Sequence, residues 1–297
     1  MALLSKIEIC LFGSLDFKID GVSQHLGLSG ATRSLLQYLL CFHDRPARRD
    51  LLVELFWPGA RLDRRRSALN SAVWRIRKAL QPFAPISVEA TTQSVQLKIS
   101  DPRALEIDCA LLAERIRAAS LAAPDDDAAM TGLAETLERC EGAPLDGQDD
   151  EWAVIERERL SSLRLRGLTM AMRANAERRR YDDALEFGRR ILAIDTFREC
   201  ALREVMCLCM LAGQRARAVQ IFREFETAIE AELGIRPMAE TLELYDHLAN
   251  DRIPQRIPAR GLRGEVESCA PAGLTERLSS IENSRRALYH SMRSATI

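Results

Sequence analysis

Residues 63–80 read Asp63-Arg64-Arg65-Arg66-Ser67-Ala68-Leu69-Asn70-Ser71-Ala72-Val73-Trp74-Arg75-Ile76-Arg77-Lys78-Ala79-Leu80. Turned at 100° per residue, the stretch places Leu69, Val73, Ile76 and Leu80 in one narrow apolar stripe, so it is predicted to be a helix with that stripe toward a core. Asp63 is the expected N-cap, and Pro82 follows the end. Arg64, Ser67, Ser71, Trp74, Arg75 and Lys78 fall on the opposite face, with Asn70 and Arg77 at its flank. Seven basic residues lie between Arg61 and Lys78, against the single acid Asp63.

Such a face suits a DNA major groove. Arginine and lysine pair with phosphates or guanine edges, while asparagine and serine hydrogen-bond to base edges. Trp74 offers an apolar plane for thymine methyls or sugar carbons. The blander reading is a solvated face of an amphipathic helix, with Trp74 packed on a neighbouring element.

The flanking sequence supplies a scaffold. Upstream, Ile7, Ile9 and Leu11, then Leu15, Phe17 and Ile19, alternate at period two around the hairpin signal Asp20-Gly21, predicting a small antiparallel sheet. A helix follows Ser29 (Leu35, Leu36, Leu39, Leu40, Phe42) and stops before Arg45-Pro46. A second, short one carries Leu51, Leu52, Leu55 and Phe56 and stops at Trp57-Pro58-Gly59. Downstream, Ile86 and Val88 alternate, then Val95, Leu97 and Ile99, with Ala90-Thr91-Thr92-Gln93-Ser94 at the tip of a hairpin. Sheet, three helices and hairpin in about 100 residues is the organisation of a winged helix. Thr32 and Arg33 open the first helix and Arg48 and Arg49 the second. Helix N-termini of this kind clamp phosphates. Thr92, at a wing tip without arginine or lysine, is expected to make at most a phosphate contact.

Charge follows the same division. The net charge of −1 conceals 14 Lys+Arg against 8 Asp+Glu in residues 1–100, and 28 against 35 in the remainder. A basic front half points to a polyanion.

After Asp101-Pro102 the sequence is expected to be helical throughout, with breaks at 124–127, 142–144 and 147–150. Aligning Leu168 with Leu202 places Met172 on Met206, Ala184 on Ala218, Leu185 on Val219 and Phe187 on Ile221. That spacing is the tetratricopeptide (TPR) period of about 34 residues, one helical hairpin per unit. Glu151-Trp152 is expected to anchor the first helices of this region, with Trp152 in the core. Arg178-Arg179-Arg180 is expected to cap a helix C-terminus, and Tyr181 to pack in the following turn.

The expected fold class is therefore mainly α with a small β content: a winged-helix domain over 1–101, an all-α TPR-like domain over 102–250, and a polar, flexible tail over 251–297 with a short helix around Leu274–Met292. Eight cysteines without a C-x-x-C pair, and four scattered histidines, assemble no metal site by spacing. Asp125-Asp126 and Asp149-Asp150 have no partner histidine and read as turn and N-cap residues. No enzyme activity and no cofactor are expected. Lys6 and Glu8 interrupt any leader-like apolar stretch, and no apolar run approaches the length of a membrane span. A cytoplasmic protein without a membrane partner is the expectation.

The chain resembles the bacterial antibiotic-regulatory-protein-type activators, in which an OmpR-like winged helix precedes a bacterial transcriptional activator domain. The N-terminal residues that carry this are Leu51-Leu52-Val53-Glu54-Leu55-Phe56-Trp57-Pro58 and Leu69 through Leu80. The C-terminal ones are Gly142-Ala143-Pro144-Leu145, Glu151-Trp152, Glu156-Arg157-Glu158-Arg159-Leu160 and Ala231-Glu232-Leu233-Gly234-Ile235-Arg236-Pro237. The resemblance implies sequence-specific binding of double-stranded DNA, transcription activation and contact with RNA polymerase. Self-association on repeated half-sites is a further expectation. The chain departs from larger members in lacking G-x-x-x-x-G-K-[ST], so nucleotide-driven control within it is not expected. The competing reading is a TPR-type interaction scaffold whose winged helix no longer binds DNA.

Overall fold

The alternation of Ile7, Ile9 and Phe17 does what period two requires: all three are buried on one face of a sheet, with the Phe17 ring edge-on to Phe83 at 5.1 Å. The structure, a computed structural model, describes residues 6–59, 61–122 and 126–249. The expected tail over 251–297, and the helix expected within it at Leu274–Met292, lie outside the described residues.

The elements run β1 (Ile7–Cys10), β2 (Asp16–Ile19), β3 (Val22–Gln24), α1 (Gly30–Cys41), β4 (Ala47–Arg48), α2 (Arg49–Phe56), α3 (Leu62–Leu80), β5 (Ile86–Ala90), β6 (Ser94–Ile99) and β7 (Leu105–Ile107). Seven helices follow: α4 (Asp108–Leu121), α5 (Asp127–Arg139), α6 (Glu151–Glu177), α7 (Tyr181–Ile194), α8 (Glu199–Leu211), α9 (Arg215–Leu233) and α10 (Ala239–Ala249). The described residues divide into two compact units between Ile194 and Asp195.

In the first unit, β1, β2 and β3 form the expected antiparallel sheet. Asp20 and Gly21 both take positive φ, 50° and 81°, as a two-residue hairpin turn demands. The wing is also as expected, β5 pairing antiparallel with β6 from Ile86↔Ile99 to Ala90↔Val95. A strand that the sequence reading did not contain, β4, adds to it through Ala47↔Val95 and Arg48↔Ser94. The helix over 63–80 begins one residue early, at Leu62. Its N-cap is Arg61 rather than Asp63, which lies in the first turn, where its charge complements the helix dipole.

The expectation that everything after Pro102 is helical needs correcting. Leu105–Ile107 is a strand that pairs parallel with β1, giving the sheet order β3-β2-β1-β7. The boundary expected at 101/102 therefore falls just before a strand that completes the N-terminal sheet. Further ties join the same two segments. Asp108, at the start of α4, accepts the main-chain N–H groups of Leu11 at 2.7 Å and Phe12 at 2.9 Å. Arg139 on α5 bridges Glu106 at 2.9 Å and Glu8 at 3.5 Å. The 142–146 segment lies along the end of β1, with Gly13 N–H donating to the Ala143 carbonyl and Leu145 N–H to that of Leu11. Gly142 has to be glycine there: its φ is +82°, and a Cβ would stand 3.3 Å from Gly13 Cα.

Trp152 is in a core, as expected, but not one confined to the helical half. Its ring meets Tyr38 of α1 edge-on at 5.3 Å and Phe56 of α2 at 6.3 Å. Its Nε1 donates to Ser34 Oγ at 3.3 Å, and Asp150 and Gln148 also hydrogen-bond to that hydroxyl. The end of α6 behaves as expected: Arg178 Nη1 donates to the Ala174 carbonyl at 3.2 Å, and its Nε meets Asp127 at 2.7 Å. Asp126 caps α5 by accepting from the Ala129 N–H.

The helical echo has matching burial. Leu168 and Met172 of α6, like Leu202 and Met206 of α8, are buried, as are Ala184 of α7 and Ala218 of α9. In the second unit α8, α9 and α10 pack together. Phe222 stacks on Tyr245 at 4.1 Å, and Glu199 accepts from the Met238 N–H and the Thr241 hydroxyl.

Candidate nucleic-acid interface

Leu69, Ala72, Val73, Ile76 and Leu80 are buried, which fixes the rotation of α3 about its axis. Arg64, Ser67, Asn70, Ser71, Trp74, Arg75, Arg77 and Lys78 are all exposed. Trp74 retains 62% of its surface, and the Lys78 ammonium lies 5.4 Å from its ring centroid, one turn on. Trp74 is therefore not a packing residue of the winged helix, and its apolar plane stands among cations.

A cleft of about 840 Å³ opens between α2, α3 and the wing, lined by Arg49, Arg66, Asn70, Trp74, Arg77 and Thr92 among others. Arg49 spans it. Its guanidinium donates to Asn70 Oδ1 and, at 3.5 Å, to the Thr91 carbonyl, while its main-chain N–H donates to Gln93 at 2.9 Å. Arg77 Nε donates to the Val88 carbonyl at 3.0 Å, tying α3 to β5. The wing tip is stiffened by Thr91, whose hydroxyl accepts the N–H groups of Gln93 and Ser94. Helix α3 and the wing are thus tied to each other, with Asp50 as the one acid among the described residues lining the cleft.

Not every expected residue joins this surface. Arg48 is exposed at the N-cap of α2, in β4. Thr32 is buried, and Arg33 donates to the Leu15 carbonyl at 3.4 Å beside a separate cleft of about 250 Å³. Neither lines the cleft between α3 and the wing. The sequence reading missed Arg66, which precedes Asn70 by four residues and Arg77 by eleven. That helical spacing, on the flank rather than the crest of the outward face, was the signal that identifies it. Arg65 has a structural role instead, meeting Glu54 of α2 at 2.6 Å.

Elsewhere the chemistry is quiet. Burial pushes the thiols of Cys41 and Cys109 well up and that of Cys140 up to about 12, so these cysteines are protonated and unreactive. Among the described residues no cluster of His, Cys, Asp or Glu is built to hold a metal ion, and no helix is long and apolar enough to cross a membrane.

Residues 107–249 match the bacterial transcriptional activator domain. Among solved structures, that of Mycobacterium tuberculosis EmbR in complex with low affinity phosphopeptide is similar, with a TM-score of 0.67 and 20% sequence identity over 86% of this chain and 67% of that chain. At that identity the likeness carries the fold alone: a winged helix followed by a helical domain. No curated protein matches the chain. A winged helix joined to an activator domain is the architecture of a bacterial transcription regulator. The chain thus carries, behind its winged helix, a segment similar to the bacterial transcriptional activator domain, which takes up just under half of its length.

Proposed function

We propose that the chain binds double-stranded DNA sequence-specifically by laying α3 in the major groove, with residues 1–101 as the reading domain. Residues 102–250 then serve as the activator domain, which meets RNA polymerase and supports association on repeated half-sites. The protein acts in the cytoplasm. The observation that carries this reading is the complete exposure of the outward set on α3, Arg64 to Lys78, while its apolar stripe is buried. A row of exposed cations without a counter-charge has a phosphate backbone as its natural complement.

A mobility-shift series with genomic fragments across salt concentrations tests it. Binding should weaken steeply with salt, and Arg64→Ala combined with Lys78→Ala should flatten the log–log slope by about 2, one for each lost phosphate contact. If the double variant retains DNA as tightly and with the same slope, α3 is not the reader, and the scaffold reading takes its place.

A further inference from the structure

Asn70 lies on the flank of the outward face of α3, within the cleft shared with the wing. Its Oδ1 accepts from Nη2 of Arg49. The orientation of the amide follows from the donor inventory: a guanidinium has only N–H groups to offer, so asparagine turns its carbonyl toward it. Arg49 is also engaged on the wing, with Nη1 3.5 Å from the Thr91 carbonyl and its main-chain N–H donating to the Gln93 carbonyl. The two Nδ2 hydrogens of Asn70 have no acceptor among the described residues.

An asparagine with both ends free pairs with adenine, accepting from N6 and donating to N7. Here the accepting end is engaged and lies against a full positive charge. That charge also repels the amino hydrogens that adenine and cytosine present in the major groove. What the pair displays is donors alone, the amide N–H groups beside the guanidinium. In the major groove guanine presents two acceptors, O6 and N7, with no donor of its own.

We propose that Arg49 and Asn70 read one guanine together, with Arg49 as the positioning residue that withholds from Asn70 its adenine partner. The proposal rests on the DNA-binding reading above and adds the identity of a base.

The experiment selects bound duplexes from a random pool with the full chain and three variants, each checked for folding by thermal melting. Wild type should enrich guanine at one position. Arg49→Ala frees Oδ1 while keeping the main-chain bond to Gln93, so the same position should move toward adenine, the guanine-to-adenine ratio falling by about tenfold. Arg49→Lys, which keeps a cationic donor beside Oδ1, should retain guanine. Asn70→Asp keeps an acceptor for Arg49 but loses both donors, so the guanine preference there should vanish. If wild type enriches no motif, DNA reading itself fails and this proposal with it. If a motif emerges but adenine occupies the responsive position, the proposal alone is overturned. The same holds if no position answers to both residues, or if Arg49→Ala weakens all sequences evenly, as a lost phosphate contact would. Should Arg49→Ala not fold, Arg49→Lys and Asn70→Asp decide between the same outcomes.

Discussion

Two long helices of this chain carry rows of arginine and use them in opposite ways. On α6, Arg157 turns to the chain's own carbonyls, donating to Pro144 at 3.1 Å, Leu145 at 3.3 Å and Gln148 at 2.6 Å. Arg164 likewise donates to Cys140 and Gly142. On α3, Arg64, Arg66 and Arg75 stand exposed, with no acceptor for them among the described residues. The tryptophans divide in the same way, Trp152 being 7% exposed and Trp74 62%. The difference teaches that a basic run acquires its meaning from what faces it. Beside an irregular segment rich in unpaired carbonyls, arginine completes the fold. On a helix face without such a segment, it remains available to an outside anion.

The strongest way to break this contrast is through the buried aromatic. Trp152→Ala removes the ring shared by Tyr38 and Phe56 and should lower the unfolding free energy by about 3–5 kcal/mol in urea denaturation. A loss no larger than that of Trp74→Ala, which should be under about 0.5 kcal/mol, would erase the distinction. Arg157→Ala deprives three carbonyls of a charged donor and should cost about 2 kcal/mol by the same measurement. Arg64→Ala with Lys78→Ala, the pair expected to weaken DNA binding, should leave stability within about 0.5 kcal/mol of wild type. A loss matching that of Arg157→Ala would place α3's cations in the fold rather than at an interface.

The smallest effect sharpens the comparison at the joint itself. Burial, outweighing the main-chain N–H groups that face it, raises the Asp108 carboxyl above its ordinary value. The folded chain holds that proton at a pH where the unfolded chain has released it. Asp108 therefore contributes stability that is fully present below about pH 3.9 and is lost as pH rises through its raised value. Subtracting the pH profile of Asp108→Asn from that of wild type should expose a slope of this sign. The opposite sign would mean that the amides of Leu11 and Phe12 dominate over desolvation.

The rotation of α3 was legible because Leu69, Val73, Ile76 and Leu80 repeat strictly and nothing polar interrupts them. The hairpin at Asp20-Gly21 was legible for a different reason, since a turn with two positive φ values restricts its residues sharply. The strands β4 and β7 were not, for they hold two and three residues. Period-two alternation needs more than that, and the partner of β7 lies at the other end of the domain. Trp152 announced burial but not its neighbours, because hydrophobicity carries no address. Thr32 and Arg33 looked like residues of an open helix terminus, yet long-range packing buries the first and engages the second with Leu15. Arg66 was hidden among three consecutive arginines, of which the structure gives Arg65 to Glu54 and leaves Arg66 to the cleft.

The parallel pairing of β7 with β1 has a consequence for how the chain is made. Ile7 finds its partner Leu105 only after about a hundred residues have been added. Until that segment leaves the ribosome, the outer edge of β1 offers unpaired amides to any passing strand. The winged-helix half thus matures late, once part of the helical half has emerged. A graft that transplants it to another regulator must carry the chain through Leu145, or it will carry an open edge instead.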